Sequence, residues 1–190
     1  MDRYCNVRWH KSFEPPLTHH GVTTFVFVRA ITYATLFIGF VLVFLPARVL
    51  SWSGITQPAS IGPAQLTGVA VGAAGALLAV WCIGTFIVTG RGTPAPFDPP
   101  TRLVIVGPYR FVRNPMYVGA AFALGGAALF YGSWVLLAYC AVFLLVTHLF
   151  VVVYEEPTLR TMFGADYVSY CEQVPRWLPR TVRDFTRGAS

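Results

Sequence analysis

The sequence is poor in charged residues. Asp, Glu, Lys and Arg make up 12% of its 190 residues, about half the fraction of a typical soluble domain. Hydrophobic residues reach 55%, and the segment 116–154 contains no charged side chain. This composition excludes an ordinary soluble domain and predicts an integral membrane protein. The formal net charge of +6 is assigned to arginines that flank membrane helices, since no basic helix typical of nucleic-acid binding is present.

Motifs for several other chemistries are missing. The four cysteines form no C-x-x-C pair, and Cys82 and Cys140 lie in apolar segments, which argues against a zinc site or a disulfide framework. The sequence has no P-loop, no G-x-G-x-x-G, no Ser/His/Asp or Cys/His pattern and no metal-ligand spacing. We therefore expect no metal. The first apolar run starts too late and is too long for a cleaved signal peptide, so it is interpreted as a retained span.

The apolar segments predict an all-α membrane protein with about four transmembrane helices. The spans are predicted at 22–46, 64–89, 116–130 and 134–154. The last two form a hairpin, because Tyr131-Gly132-Ser133 is a turn signal. The third span is short for a hydrocarbon core of ~30 Å. In the second span Gly68, Gly72 and Ala76 recur every four residues, which predicts close packing against another helix.

The distribution of arginines predicts the orientation. Nearly all of them lie in the tail 1–21, in the loop 90–115 and in the C-terminal region, whereas the loop 47–63 and the turn 131–133 hold only Arg48. By the positive-inside rule, both termini are expected on the cytoplasmic side. Residues 155–180 are predicted to form a cytoplasmic cap. Apolar and aromatic residues recur there at helical spacing, namely Leu159, Phe163, Tyr167 and Tyr170.

A polar elbow at Gly107–Gly119 leads into the hairpin. Pro108 and Pro115 disfavour helix in the residue before each of them. Pro115 suits the first helical turn, and Asn114 suits the cap position before it. The elbow carries two arginines and two tyrosines at the water boundary. It is a candidate site for an anionic group of a cofactor, although arginines in this position also serve as headgroup anchors.

An adjacent pair of carboxylates, Glu155 and Glu156, follows the last span. The two ends of a hairpin meet, so Tyr117 and Glu155 are expected to lie close together. His148 precedes Glu155 by seven residues and is predicted on the same helical face, either lining a cavity or packed in the core. Arg113 or Arg110 is a structural partner for a glutamate. Alternatively, these residues form a pocket for a charged or zwitterionic ligand.

Two blocks of the sequence resemble a known superfamily. The segment Gly-Pro-Tyr-Arg-Phe-Val-Arg-Asn-Pro-Met-Tyr-Val-Gly at 107–119 resembles the R-H-P-x-Y-x-G region of isoprenylcysteine carboxyl methyltransferases and phospholipid methyltransferases. The segment from Glu155 to Pro179 resembles their C-terminal E-E-x-x-L…F-G-x-x-Y-x-x-Y…V-P-R-x-x-P block. The match extends from Arg102 to Arg180. The first two spans agree with the superfamily only in character.

The resemblance implies one integral-membrane methyltransferase domain, of bacterial inner-membrane type, that uses S-adenosylmethionine and modifies a lipophilic acceptor. The acceptor could be a carboxylate, a thiol or an amine. The cofactor residues it nominates, with His148 added from its position, are Tyr109, Arg113, Asn114, Pro115, Tyr117, Gly119, His148, Glu155 and Glu156. Arg113, Glu156 and Arg176 are the candidate catalytic residues, with Arg176 facing an acceptor carboxylate. Asn114 departs from the pattern, which has His there.

Two other functions remain open from the sequence. Membrane sterol reductases that use NADPH carry a similar C-terminal core, but they are generally longer. A non-enzymatic membrane protein with a degenerate site would also fit the Asn114 change. The intact Glu155-Glu156 pair and Tyr117 favour an enzyme.

Overall fold

The structure is a computed structural model that describes residues 39–55, 57–58, 61–85 and 103–179, with isolated positions 32, 36 and 88. Every regular element in these ranges is helical, as predicted. The predicted tail 1–21, most of the first span 22–46 and residues 89–102 lie outside the described residues, as do residues 180–190.

The described elements follow one another in a simple order. A π-helical turn, Gly39–Phe44, leads into α1, Leu45–Trp52, and α2 is Pro63–Thr85. The elbow contains a 3₁₀ turn, Gly107–Arg110, and precedes α3, Pro115–Tyr131. Helix α4, Trp134–Phe150, passes through a second π-helical turn, Val151–Glu155, into α5, Glu156–Gln173.

Two helices among the described residues are long and apolar enough to cross a membrane. One is α2, with 23 residues, and the other is the helical run Trp134–Gln173, with 40 residues, which is kinked at Gly164, where φ is +53°. Only 17% and 28% of their most apolar windows are buried, so their apolar side chains face outward rather than into a core. Such surfaces are stable in lipid. The chain is therefore a membrane protein. Helices Gly39–Trp52 and Pro115–Tyr131 are shorter, and the count of four spans stays a prediction.

Helices α3 and α4 form the predicted hairpin. Gly132 has φ +59° at the end of α3, a left-handed conformation that favours glycine at a helix end. Ser133 caps the next helix, because its Oγ accepts a hydrogen bond from the backbone N–H of Leu136 at 3.3 Å. Between the helices lies a small core of Ala120, Leu124, Cys140 and Phe143. The turn predicted at 131–133 is confirmed.

Helices α2 and α3 are antiparallel and pack through glycines. A Cβ atom added to Gly75 would lie 2.5 Å from the carbonyl oxygen of Gly119, and one added to Gly68 would lie 2.7 Å from that of Gly126. The backbones therefore touch, as in other small-residue helix contacts. The predicted small-residue face of α2 is confirmed at Gly68 and Gly72. The third position was wrong: Ala76 is exposed, and Gly75 makes the contact.

The elbow packs against the end of α2, and α5 packs back on the elbow. Cys82 of α2 is buried in a cluster with Val104 and Tyr109. The aromatic face predicted for the cap forms a second cluster, in which Tyr167 and Tyr170 are buried. The hydroxyl of Tyr170 donates to the carbonyl oxygen of Tyr109 at 2.7 Å. These contacts fix the position of the elbow between α2 and α5.

The glycine contact between α2 and α3 predicts a large effect of one methyl group. In Gly126→Ala the new Cβ would meet the Gly68 carbonyl oxygen at 2.5 Å, so the helices must separate. We expect a loss of roughly 1–3 kcal/mol in the free energy of unfolding, measured as a lower melting temperature of the detergent-purified protein.

Gly125→Ala is the matched control, because a Cβ there would meet no heavy atom within 4 Å. Both substitutions gain the same helix propensity, about 1 kcal/mol. Equal melting temperatures for the two variants would contradict the packing described above.

Candidate functional site

The predicted site residues meet where α3 begins, where the long helix leaves its apolar part, and where the chain returns after α5. We call Arg113, Tyr117, Glu155, Glu156 and Arg176 the carboxylate cluster. Residues 174–179, which follow α5, are called the strap. The last apolar residue before the cluster is Tyr154, so both carboxylates follow the charge-free segment.

Glu156 is held by two arginines. The guanidinium of Arg176 donates from Nε to Oε1 at 2.7 Å and from Nη2 to Oε2 at 2.8 Å. Arg113 Nη1 lies 3.1 Å from Oε1. The Glu156 side chain is 9% exposed, and burial alone would raise its pKa. The Arg176 hydrogen bonds and the two positive charges outweigh burial and hold its pKa below the ordinary value. The Glu156 hydrogen bond in turn raises the pKa of Arg176.

Arg113 connects three parts of the chain. Besides its contact with Glu156, its Nη1 donates to the Cys171 sulfur at 2.7 Å. Its backbone N–H donates to the Pro175 carbonyl at 2.9 Å. Its Nε, in contrast, is buried and has no hydrogen-bond acceptor among the described residues. Arg113 is thus the structural partner that the sequence left open, whereas Arg110 is exposed.

Asn114 has a different role from the one expected. It occupies the position before α3, and Pro115 starts that helix, both as predicted. The Asn114 side chain makes no capping bond, so that part of the prediction was wrong. Its Nδ2 donates instead to the Arg176 carbonyl at 3.3 Å. Through this bond Asn114 holds the strap near Glu156.

Glu155 differs from its neighbour. Its Oε2 accepts a hydrogen bond from the Tyr117 hydroxyl at 3.3 Å, which confirms the predicted proximity of these residues. It makes no ion pair with any described residue. Burial raises the pKa of Glu155 to about 7, aided by the charge of Glu156 and opposed by the Tyr117 hydrogen bond. The two adjacent carboxylates therefore lie in opposite environments, one satisfied by cations and one without a cation.

The π-helical turn Val151–Glu155 lies between His148 and the cluster. The backbone hydrogen bonds there span five residues, and the shared face of His148 and Glu155 stays a prediction. Trp177 of the strap connects His148 with Tyr117. Its ring lies 6.0 Å from the His148 ring and 6.5 Å from the Tyr117 ring. Its Nε1 donates to His148 Nδ1 at 3.1 Å.

The remaining predicted residues lie beside the cluster in structural positions. Tyr109 is buried against Cys82, and burial raises the pKa of its phenol well above the ordinary value. A Cβ on Gly119 would lie 2.8 Å from the Gly75 carbonyl oxygen, so this residue packs against α2. Cofactor contacts for Tyr109, Pro115 and Gly119 stay predictions.

Sequence reasoning missed two participants. Trp177 and Cys171 reach the cluster only through the strap and α5, and no local pattern places them near Tyr117 or Arg113.

An open space of about 590 Å³ lies beside α5. None of the predicted site residues lines it. Its walls are Leu103, Ile105, Phe163, Asp166, Ser169, Tyr170, Gln173 and Val174.

Comparison with known families identifies the family of the chain. The sequence model of the phospholipid methyltransferase family matches residues 64–166, more than half of the 190 residues. The chain belongs to the phospholipid methyltransferase family. The match covers α2, the elbow, the hairpin and both carboxylates. It supports a methyltransferase over a reductase. No curated protein and no solved structure matches the chain significantly.

The pairing of Glu156 predicts a stability effect that depends on pH. Glu156→Gln removes the one carboxylate among the described residues that pairs with these two partly buried guanidinium groups, a change that costs several kcal/mol in fully buried pairs. Because the pKa of Glu156 is lowered in the fold, its contribution is present above the unfolded value of about 4.3 and is lost as the pH falls through the folded value. Thermal unfolding at pH 7 and at acidic pH measures both.

Glu172→Gln is the control, since Glu172 is exposed on the same helix. It should melt like the wild type at both pH values. If both variants lose stability equally, or if the Glu156→Gln deficit is unchanged in acid, the cluster does not depend on this ion pair.

Proposed function

We propose that the protein transfers a methyl group from S-adenosylmethionine to a lipophilic acceptor at the membrane interface. The observation that carries the proposal is the carboxylate cluster at the open end of an apolar hairpin. It combines Glu155, which has no cationic partner among the described residues, with Glu156, which two arginines fix in place. The family match supplies the reaction class.

The donor set of the cluster suits this cofactor. S-adenosylmethionine carries a sulfonium, an ammonium and a carboxylate. Glu155 offers a carboxylate to a cationic group, and its bond to Tyr117 directs it. Arg113 offers a buried Nε–H without an acceptor among the described residues, which an anionic oxygen would satisfy. Asn114 and Arg176 stabilise the strap beside both groups.

The chemistry asks for orientation rather than proton transfer by a strong base. When bound, S-adenosylmethionine supplies an activated methyl group. The protein must hold the acceptor in line with it and exclude water. Tyr117 and Glu155 orient the cationic end. Glu156 orients Arg113 and Arg176, of which Arg176 is the proposed partner of an acceptor carboxylate. For this last role, Arg176 must divide its hydrogen-bond donors between Glu156 and the acceptor carboxylate.

A lipophilic acceptor would approach along the hairpin. The last turns of the apolar segment expose Leu149, Val152 and Val153, at 52%, 38% and 73%. These side chains face lipid directly beside the cluster. A prenylated carboxylate, a lipid thiol or a phospholipid amine would each keep its chain in the membrane while its head group reaches Glu155. The arginine distribution supports a cytoplasmic position of the site and of both termini.

The cofactor role of Glu155 predicts a selective loss of affinity. In Glu155→Gln the charge is removed at nearly constant volume. Binding of S-adenosylmethionine should weaken at least about tenfold, or ~1.4 kcal/mol. Binding of S-adenosylhomocysteine, which lacks the sulfonium charge, should weaken less. Calorimetry on the purified protein in nanodiscs measures both affinities.

Glu172→Gln serves again as the control, and NADPH is the third ligand. If the two adenosyl ligands lose affinity equally, Glu155 contacts a group that both of them carry and not the sulfonium. Binding of NADPH alone would overturn the proposed function in favour of the reductase. Binding of none of the three would favour a non-enzymatic protein.

The raised pKa of Glu155 predicts pH-dependent binding. A cation prefers the ionised carboxylate, so the affinity of the wild type for S-adenosylmethionine should fall as the pH drops below about 7, by up to roughly tenfold per unit for one proton. The ionisable groups around Glu155 are Tyr117, Tyr109 and Glu156. Tyr117 and Tyr109 are phenols that stay protonated between pH 6 and 8, and Glu156 is ion-paired. The ratio of wild-type to Glu155→Gln affinity between pH 6 and 8 isolates Glu155, and a constant ratio contradicts its assignment.

A further inference from the structure

The contact between Trp177 and His148 defines the hydrogen-bonding state of the histidine. Trp177 Nε1 lies 3.1 Å from His148 Nδ1. An indole N–H can only donate, so Nδ1 must accept. A neutral imidazole that accepts at Nδ1 carries its proton on Nε2. His148 therefore presents an N–H donor on the side of the ring away from Trp177.

Trp177 is brought to this position by the strap. Pro175 and Arg176, which precede it, make hydrogen bonds through their backbone carbonyls and through the Arg176 side chain. The Pro175 carbonyl accepts from the Arg113 backbone N–H at 2.9 Å, and the Arg176 carbonyl accepts from Asn114 at 3.3 Å. The Arg176 guanidinium donates two hydrogen bonds to the Glu156 carboxylate. The indole is thus placed by the same contacts that build the carboxylate cluster.

The Nε2–H of His148 has no acceptor among the described residues, although His148 is half-buried. Of the positions one turn away, Leu145 and Val152 are exposed, at 58% and 38%, whereas Val151 is buried, so His148 lies at the edge of the exposed apolar surface. An N–H group at such a boundary costs free energy unless it finds an acceptor. The Trp177 ring that contacts His148 also lies against the Tyr117 ring, and the Tyr117 hydroxyl donates to Glu155.

We propose that Trp177 is a positioning residue that holds His148 as a hydrogen-bond donor, and that His148 Nε2–H binds an anionic oxygen of the lipid acceptor. The oxygen belongs either to a phosphate in a lipid head group or to a lipid carboxylate. This inference rests on the proposed function, because it assigns the acceptor side of the same site. It also excludes His148 as the base while the Trp177 bond stands, since Nδ1 is occupied and Nε2 already carries a proton.

The tautomer can be measured directly. Nitrogen-15 NMR of histidine-labelled protein in nanodiscs, at alkaline pH where imidazoles are neutral, distinguishes protonated from bare ring nitrogens. The signals of His148 are assigned by their loss in His148→Gln, which separates them from His10, His19 and His20. We expect a protonated Nε2 and a bare Nδ1. A protonated Nδ1 in the wild type would overturn the proposal.

Trp177→Phe tests the positioning role, because it keeps an aromatic ring and removes the N–H. We expect the two tautomers of His148 to mix in this variant. Trp134→Phe is the matched control: this tryptophan is 78% exposed at the far end of α4, and its loss should leave the signals unchanged. An unchanged tautomer in Trp177→Phe would show that Trp177 does not position His148. If Trp177→Phe does not fold, the wild-type tautomer and the titrations below still decide.

Two lipid probes test the donor role and distinguish the source of the oxygen. Dodecyl phosphate and dodecanoate are titrated separately while the His148 Nε2 signal is followed. A saturable shift with the phosphate alone assigns a head-group phosphate, and a shift with dodecanoate alone assigns a lipid acid. A shift with both supports recognition of the shared anionic oxygen. No shift with either overturns the assignment of His148 to the acceptor.

A parallel thermal-shift measurement with S-adenosylhomocysteine separates this inference from the proposed function. The wild type should be stabilised by this ligand if the proposed function holds. Failure of the wild type to bind the adenosyl ligand would count against the proposed function. Failure of the tautomer test with intact binding would count against this inference alone.

Discussion

The bidentate ion pair between Arg176 and Glu156, joined by Arg113, is the interaction on which the site depends. It connects the elbow before α3, the start of α5 and the strap, three segments distant in sequence. Each of its charges lies in a partly or largely buried position, where an unpaired charge is costly. The three groups therefore stabilise one another only when all three segments are in place. The cluster can exist only in the folded hairpin.

The packing of α2 against α3 depends on close approach of backbones rather than on large side chains. In lipid, apolar side chains gain little from leaving the surrounding acyl chains, so packing distance decides helix association. Gly68 and Gly75 of α2 and Gly119 and Gly126 of α3 permit this contact. Large apolar residues remain on the outer faces, exposed to lipid. This division explains why so little of the apolar surface is buried, and it places the elbow beside the end of α2.

The two carboxylates illustrate how neighbouring residues acquire different functions. Glu156 is buried with cations and is fixed as an anion. Within the described part of the chain, the side chain of Glu155 is bonded to a phenol and to no cation, and it remains available to a positive charge. The π-helical turn before them ends the α-helical register of α4. The strap connects His148 with Tyr117 through the ring of Trp177. In the proposed function, Glu155 faces the cationic group of the cofactor and His148 faces the acceptor.

The sequence by itself determined the membrane class, the hairpin with its glycine turn, the small face of α2, the aromatic face of α5 and the proximity of Tyr117 and Glu155. These follow from composition, local periodicity and chain connectivity, which act over short distances or through a single turn. The tertiary structure alone decided that Asn114 holds the strap instead of capping α3, that Gly75 rather than Ala76 meets α3, and that Trp177 reaches His148. The Asn114 and Trp177 contacts depend on how the strap returns across the fold to partners 62 and 29 residues away. The choice of Gly75 depends on the register of α2 against α3. No local pattern in the sequence records either.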